Sequence, residues 1–442
     1  MQIVDILITG GRIVTLNDHG DIYENGALAI DGDRIVAVGA AAELQEKFSG
    51  RRTIVAQNHI IMPGLVNGHN HAAMTCFRGF ADDMDLMTWL NDYMFPAETR
   101  NVSPELAYWG SVLACAEMIK SGTTTFCDMY IFEEETAQAA KQAGMRCLVG
   151  EVLFDFPSPN VKTPAEGINY TRKLIEKWAG DPLVRIAVEP HALYTCGESL
   201  LKDAAALARE YQVPVAMHFL ENSAEVSQLT DKFGKRATHY LRDIDYLNDK
   251  LILFHAVCLD DEDIKIIADH GCRLVHNPES NMKLASGVAP VAKMLRQGIA
   301  VALGTDGCAS NNNLDMFQEM DSAAKLAKVA ALDPTLLPAP AVVRMATRNG
   351  ANALGMGDLT GSLAAGKKAD VILIDIHKPH LTPLYNEYSH LVYAVGGADV
   401  ETVIINGRLV MENRRLLTID EEEAMARVNK IAEKIMAGFQ KA

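Results

Sequence analysis

Several histidines and acids in this chain stand where they could share one task. In His69-Asn70-His71, extended backbone would turn residues i and i+2 the same way, so both imidazoles can face one target. His191, His218, His255 and His276 each close or follow a short apolar run, and Asp306 does the same in Gly304-Thr305-Asp306-Gly307. Three imidazoles and one carboxylate suit a borderline-soft divalent cation with a position left open for water; Zn²⁺ is the first choice, and Fe²⁺ or Mn²⁺ would also fit. Such an ion lowers the pKa of water from about 15.7 toward roughly 7, which makes hydroxide available at neutral pH. Glu221, three residues past His218, could pass a proton from water to a substrate nitrogen. His255 could stabilise the oxyanion-like species formed on the way. Hydrolysis is the chemistry this set implies.

The elements that must position these residues read as a βα array. Apolar strands at 64–67, 123–126, 146–149, 184–188, 213–217, 251–254, 273–275 and 299–303 alternate with helical stretches, which predicts a closed (β/α)₈ barrel of the TIM type in an α/β protein. His69 and His71 then follow the first strand, and His218, His255 and Asp306 end strands five, six and eight. Barrel enzymes assemble their sites at those C-terminal strand ends. Helix boundaries support the strand count: Ser103-Pro104-Glu105 opens a helix that closes at Gly122, and Asp260 to Asp263 opens one that closes at Gly271.

Both ends of the chain have a different texture. Short alternating runs separated by Gly10-Gly11, Asp31-Gly32-Asp33 and Asn406-Gly407 turns predict β-hairpins. The expected organisation is a small β-sandwich domain built from residues 1–62 and 358–418, around a metal-dependent catalytic barrel at 63–357, with a C-terminal helix within 419–442 that begins near Asp420.

Bulk properties exclude several classes. A formal charge of −16 offers no clustered cations for a nucleic-acid partner. The eight cysteines include no CxxC pair and read as buried free thiols of a reducing compartment, so a cytoplasmic protein is expected. No basic n-region opens the chain and no apolar run of about 18 residues occurs, so neither secretion nor a membrane partner is expected.

These residues resemble the amidohydrolase superfamily, and more narrowly its nucleoside deaminases. The likeness runs from Ile6-Leu7-Ile8-Thr9-Gly10-Gly11-Arg12, through Met62-Pro63-Gly64-Leu65-Val66-Asn67-Gly68-His69-Asn70-His71, to Gly366-Lys367-Lys368-Ala369-Asp370-Val371. It implies one ion per subunit on His69, His71, His218 and Asp306, with Asp306 also taking the proton of the attacking water. It implies Glu221 as acid–base residue and His255 beside the nucleophilic water. On the loop after the first strand, it implies that Glu98 accepts bonds from ribose hydroxyls and that Trp89 lines the pocket; His191 would touch purine or sugar, and His276 would brace the metal site. The substrates implied are adenosine-type nucleosides: 5′-methylthioadenosine, adenosine and S-adenosylhomocysteine. Glu279 stands where the family often has Ser, which would add a charge near the mouth. No arginine in 154–162 answers the carboxylate of an amino-acid tail, where Lys162 is the one cation. Guanine deaminases and triazine chlorohydrolases share the scaffold and most ligands, and some metal-free barrels serve as assembly proteins; these remain the alternatives. A homo-oligomer is expected.

Overall fold

The computed structural model describes residues 1–439. Eight parallel strands form the expected barrel: Leu65–Asn70, Thr123–Tyr130, Arg146–Leu153, Val184–Ile186 continued by Glu189–Pro190, Val215–Phe219, Leu251–His255, Arg273–His276 and Val301–Leu303. The first three strands are buried at every residue, as parallel strands covered on both faces must be. Strands one to four pair in one half and strands five to eight in the other. A parallel bridge between Val188 and Val215 joins the halves on one side. On the other, the amide of Asp306 donates to the carbonyl of His69 at 3.0 Å. That second seam depends on small residues, because a Cβ on Gly68 would lie 2.9 Å from the carbonyl oxygen of Leu303.

The helix boundaries are chemical. Ser103 Oγ accepts from the amide of Leu106 to cap the helix Pro104–Lys120, which ends before Gly122 at φ +86°. Asp260 and Asp263 form a capping box on the helix Asp261–Asp269. The C-terminal helix runs Glu421–Phe439 and buries Ala424, Val428, Ile431 and Ile435. No helix among the described residues is long and apolar enough to cross a membrane.

The chain ends build one nine-stranded sheet, in which His59–Pro63 pairs with both Gln2–Val14 and Val371–Asp375. The sheet curls: Ala369 donates to the carbonyl of Asp33 at 2.9 Å, and Ile8, Ile30, Ile35, Val371 and Ile404 share one buried cluster. A buried ion pair ties this sheet to the barrel. Arg146, on the third barrel strand, donates Nε and Nη2 to the two carboxylate oxygens of Asp370 at 2.8 and 3.1 Å.

The segment after the first strand differs from the loop expected at 74–98. It is mostly helical, with Ala72–Phe77, Leu86–Thr88, Trp89–Met94 and Phe95–Asn101 in succession. Asp85 caps the second of these through the amides of Met87 and Thr88, and Pro96 sits in the first turn of the last. Each piece is too short to show a periodicity of its own. Leu86, Trp89, Leu90 and Met94 hold the segment down by packing into one buried cluster.

Candidate metal centre and its cavity

The C-terminal ends of the barrel strands bring the sequence-predicted residues together. His69 and His71 approach Asp306 Oδ1 through their Nε2 atoms, at 3.4 and 3.1 Å. His218 enters from the fifth strand, its ring centroid 4.9 Å from that of His69 and 5.4 Å from that of His71. Two triads have their donor atoms within 4.8 Å of one another: His69, His71 and Asp306, and His69, His218 and His255. They share His69, so geometry places His255 beside the four expected ligands as a fifth imidazole-cluster member.

Three of the four rings are aimed by a partner on the far side. His71 donates Nδ1–H to the carbonyl of Met129, His218 to that of His191 at 3.0 Å, and His255 to Asn281 Oδ1 at 2.9 Å. A carbonyl only accepts, so these partners hold a proton on Nδ1 and turn Nε2 toward the cluster. Asp306 is fixed from behind by Ser280 Oγ at 2.6 Å and Ser310 Oγ at 2.9 Å. Both His255 and Asp306 adopt left-handed backbone, with φ of +68° and +60°. For non-glycine residues this is a strain that surrounding structure must hold, and such strain gathers at functional sites.

The electrostatics suit a cation. Burial pushes His69 down to about 3, and its ring nitrogens have no hydrogen-bond partner. A fully buried imidazole that is neutral and unpartnered is costly unless something accepts its lone pair. Burial opposes charge on His71 too, but the hydrogen bond and charge of Asp306 outweigh it and lift the ring to about 9. Burial would likewise raise Asp306, yet the close approach of His69 and His71 to its Oδ1 holds its carboxyl well below the usual range. One anion ringed by imidazoles is a donor set that fits a divalent ion.

In front of the cluster lies a cavity of about 620 Å³ counting its open mouth. Glu221 lines it, 3.8 Å from His255 Nε2, and burial raises its carboxyl above the ordinary value. Glu221 does not start the following helix. Asn222 caps Ser223–Phe233, and the first-turn acid is Glu225, which accepts the amides of Leu220 and Glu221 at 3.1 and 2.7 Å.

Glu98, Trp89 and His191 also line the cavity. Glu98 Oε1 accepts from the Tyr130 hydroxyl at 2.7 Å, and burial lifts its carboxyl to about 7 against that bond. Trp89 donates its indole N–H to Ala81 at 3.2 Å. His191 pairs Nδ1 with Thr195 Oγ1 at 2.9 Å, and burial pushes it down to about 3. His276 is buried outside the cavity lining, with its carbonyl accepting from Gly304 at 3.0 Å. Glu279 is no charge at the mouth. It accepts from Ser322 Oγ and Asn313 Nδ2 at 2.8 and 2.9 Å, turned toward the helix Met316–Ala331.

Sequence reasoning missed Tyr130, Asn281, Ser280 and Ser310. Tyr130 ends the second barrel strand, so the strand-end rule that found the histidines could have found it.

Residues 60–410 match the amidohydrolase family, and residues 26–48 match a bacterial imidazolonepropionase-like composite domain. The chain belongs to the amidohydrolase family. This amidohydrolase is 66% identical over 435 residues to the 5-methylthioadenosine/S-adenosylhomocysteine deaminase 1 of Syntrophus aciditrophicus (strain SB), covering 98% of each chain. It is 43% identical over 436 residues to a 5′-deoxyadenosine deaminase of Methanosarcina mazei, covering 98% of this chain and 99% of that one. A solved adenosine deaminase from Xanthomonas campestris with bound zinc superposes with a TM-score of 0.97 at 38% identity, covering 99% of each chain.

Proposed function

We propose that this amidohydrolase removes the 6-amino group of adenosine-type nucleosides by hydrolysis, giving the inosine analogue and ammonia. The observation that carries the reading is a buried imidazole–carboxylate cluster facing a cavity whose other walls are mostly apolar or aromatic side chains, with the carboxyl groups of Glu98 and Glu221 and the ring of His191. The names of the three relatives described above, each a deaminase of an adenosine compound, support it.

His69, His71, His218 and Asp306 would hold one divalent ion, with Zn²⁺ the best match to three imidazoles and a carboxylate. Bound there, the ion supplies the Lewis acidity that makes water nucleophilic at neutral pH. The chain's own groups move the protons. Asp306 accepts one from the attacking water as oxygen adds to C6. Glu221, whose carboxyl burial raises, donates to N1, and His255 holds the new oxygen through Nε2. The C6–N bond then breaks as Asp306 passes its proton to the amino group, ammonia leaves, and the hydroxyl proton at C6 goes to the emptied Glu221 carboxylate as the 6-oxo group forms. Glu98, as a carboxylate, accepts from both ribose hydroxyls, while Trp89 and His191 flank sugar and base.

The 5′ substituent distinguishes among the substrates. Among the described residues no lysine or arginine lines the cavity, whereas Phe95, Phe154, Leu86 and Leu90 do, and Phe156 stacks on Phe154 at 4.6 Å. A thioether or hydroxyl fits this wall; an amino-acid carboxylate would lie there without a cation. We therefore rank 5′-methylthioadenosine and adenosine above S-adenosylhomocysteine. Loss of adenine-type absorbance with matching ammonia, measured across these three nucleosides, tests both statements. Failure on every nucleoside would overturn the activity, and an equal kcat/KM for S-adenosylhomocysteine would overturn the ranking. Glu98→Gln should weaken nucleosides and leave any free base unaffected; the reverse would favour a free-base or triazine enzyme.

We also infer domain boundaries near 62, 357 and 418, with the curled sheet acting as a sandwich. A cytoplasmic homo-oligomer is the fitting context: all eight cysteines are free thiols, and light scattering tests the assembly.

A further inference from the structure

We infer that the base of the barrel, at the end away from the metal cluster, binds a phosphate-bearing small molecule of mononucleotide size. Because the strands are parallel, their N-terminal ends share one side of the barrel. Arg185 lies in the fourth strand, Lys250 immediately precedes the sixth and Arg273 opens the seventh. All three line one hollow of about 1440 Å³ counting its open side.

Neutral acceptors orient these cations. Arg185 Nη1 donates to the carbonyl of Gly355 at 3.0 Å, and Arg273 Nη1 to that of Ala353 at 3.2 Å. Lys250 Nζ donates to Gln212 Oε1 at 2.8 Å. None of the three pairs with a carboxylate among the described residues. The one carboxylate on the wall, Asp181, is already taken by Lys141 at 2.6 Å and by the amides of Leu183 and Val184. Arg185 is exposed at the open side of the hollow, and partial burial with the nearby charge of Arg146 pushes it down. Burial lowers Arg273 as well, with Asp249 offsetting part of the effect.

The hollow therefore holds three like charges, each anchored on a neutral acceptor and without an ion-pair partner among the described residues, in a chain whose net charge is −16. A carbonyl anchor occupies one of the five N–H groups of a guanidinium and leaves the fork free for a phosphate. Trp178 and Ile175 on the same wall offer a flat apolar surface for a ring, with Trp178 held by its indole N–H on Glu134 at 3.1 Å. Phosphate and ring together describe a mononucleotide.

Calorimetric titration of the metal-loaded full chain tests this, with uridine 5′-monophosphate as the probe, a pyrimidine chosen to avoid the adenosine-type cavity. Saturable binding is expected, with inorganic phosphate weaker and uridine silent. Arg185→Gln combined with Arg273→Gln should weaken the nucleotide at least about tenfold. Unchanged turnover of 5′-methylthioadenosine would show that this variant folds, and Lys250→Gln is a milder second variant expected to weaken binding in the same direction. No saturable binding at millimolar nucleotide, equal affinity in the double variant, or uridine binding as tightly as its monophosphate would each overturn the site. Inorganic phosphate binding as tightly as the nucleotide would overturn its mononucleotide size. The site does not depend on the deaminase reading.

Discussion

Asp306 has to remain an anion while fully enclosed, and the residues around it show how. Its Oδ1 faces His69 and His71, and its Oδ2 accepts two serine hydroxyls. His255 is aimed in a comparable way by Asn281, which makes Asn281 a positioning residue. Asn281→Leu should lower kcat about 10- to 100-fold with KM nearly unchanged, and Asn281→Asp, which keeps an acceptor, should recover most of the rate. Separate kcat and KM values check this, since a general packing defect would not be rescued by aspartate. Glu98 gives the pH dependence. Its carboxyl is lifted to about 7 by burial, so it is ionised above that pH and protonated below it. KM for nucleosides should therefore rise as pH falls from 8 to 6, and Glu98→Gln should hold KM high and flat across that range. The ligand-type residues were legible because each lies at or just past the C-terminal end of a strand. Asn281 and the two serines were not, because their partners lie 26, 26 and 4 positions away and only the folded barrel selects them.

Elements place these residues by close approach. Where the eighth strand meets the first, a Cβ on Gly304 would lie 2.6 Å from the amide nitrogen of His69. The His69 carbonyl oxygen and Asn277 Nδ2 would each lie at 2.9 Å, and the backbone of His69 cannot swing aside as a side chain could. Gly304→Ala should lower stability by about 1–3 kcal/mol and weaken metal retention together, as read by denaturant unfolding and by bound metal after gel filtration. A variant that keeps wild-type stability and metal content would contradict the role given to this seam. The strand order could be read from apolar runs and turn residues, and the caps at Ser103 and Asp260 stand as the sequence implied. The helices within 72–101 were not legible. They are short turns stabilised by contacts with residues far along the chain, and local periodicity carries no record of such contacts.

The whole molecule is held as two layers of β structure joined by buried charge. Arg146 and Asp370 meet in a bidentate pair that is almost fully enclosed, and Asp370 also accepts the amide of Asn406 at 2.7 Å. Arg146→Met would strand a buried carboxylate and should cost about 3–5 kcal/mol, most of it recovered when Asp370→Leu is added. A double-mutant cycle of unfolding free energies reads this directly. The union of both chain ends was visible in their shared hairpin texture, whereas the single continuous sheet was not, because strand partners such as Met62 and Ile372 are set by topology and not by local pattern. The account as a whole turns on the ion at the barrel mouth. Ammonia released from 5′-methylthioadenosine by chelator-stripped protein, followed as Zn²⁺ is added back, should start near zero and rise to a break at one ion per chain. Full turnover without metal, or no ammonia at any occupancy, would contradict it.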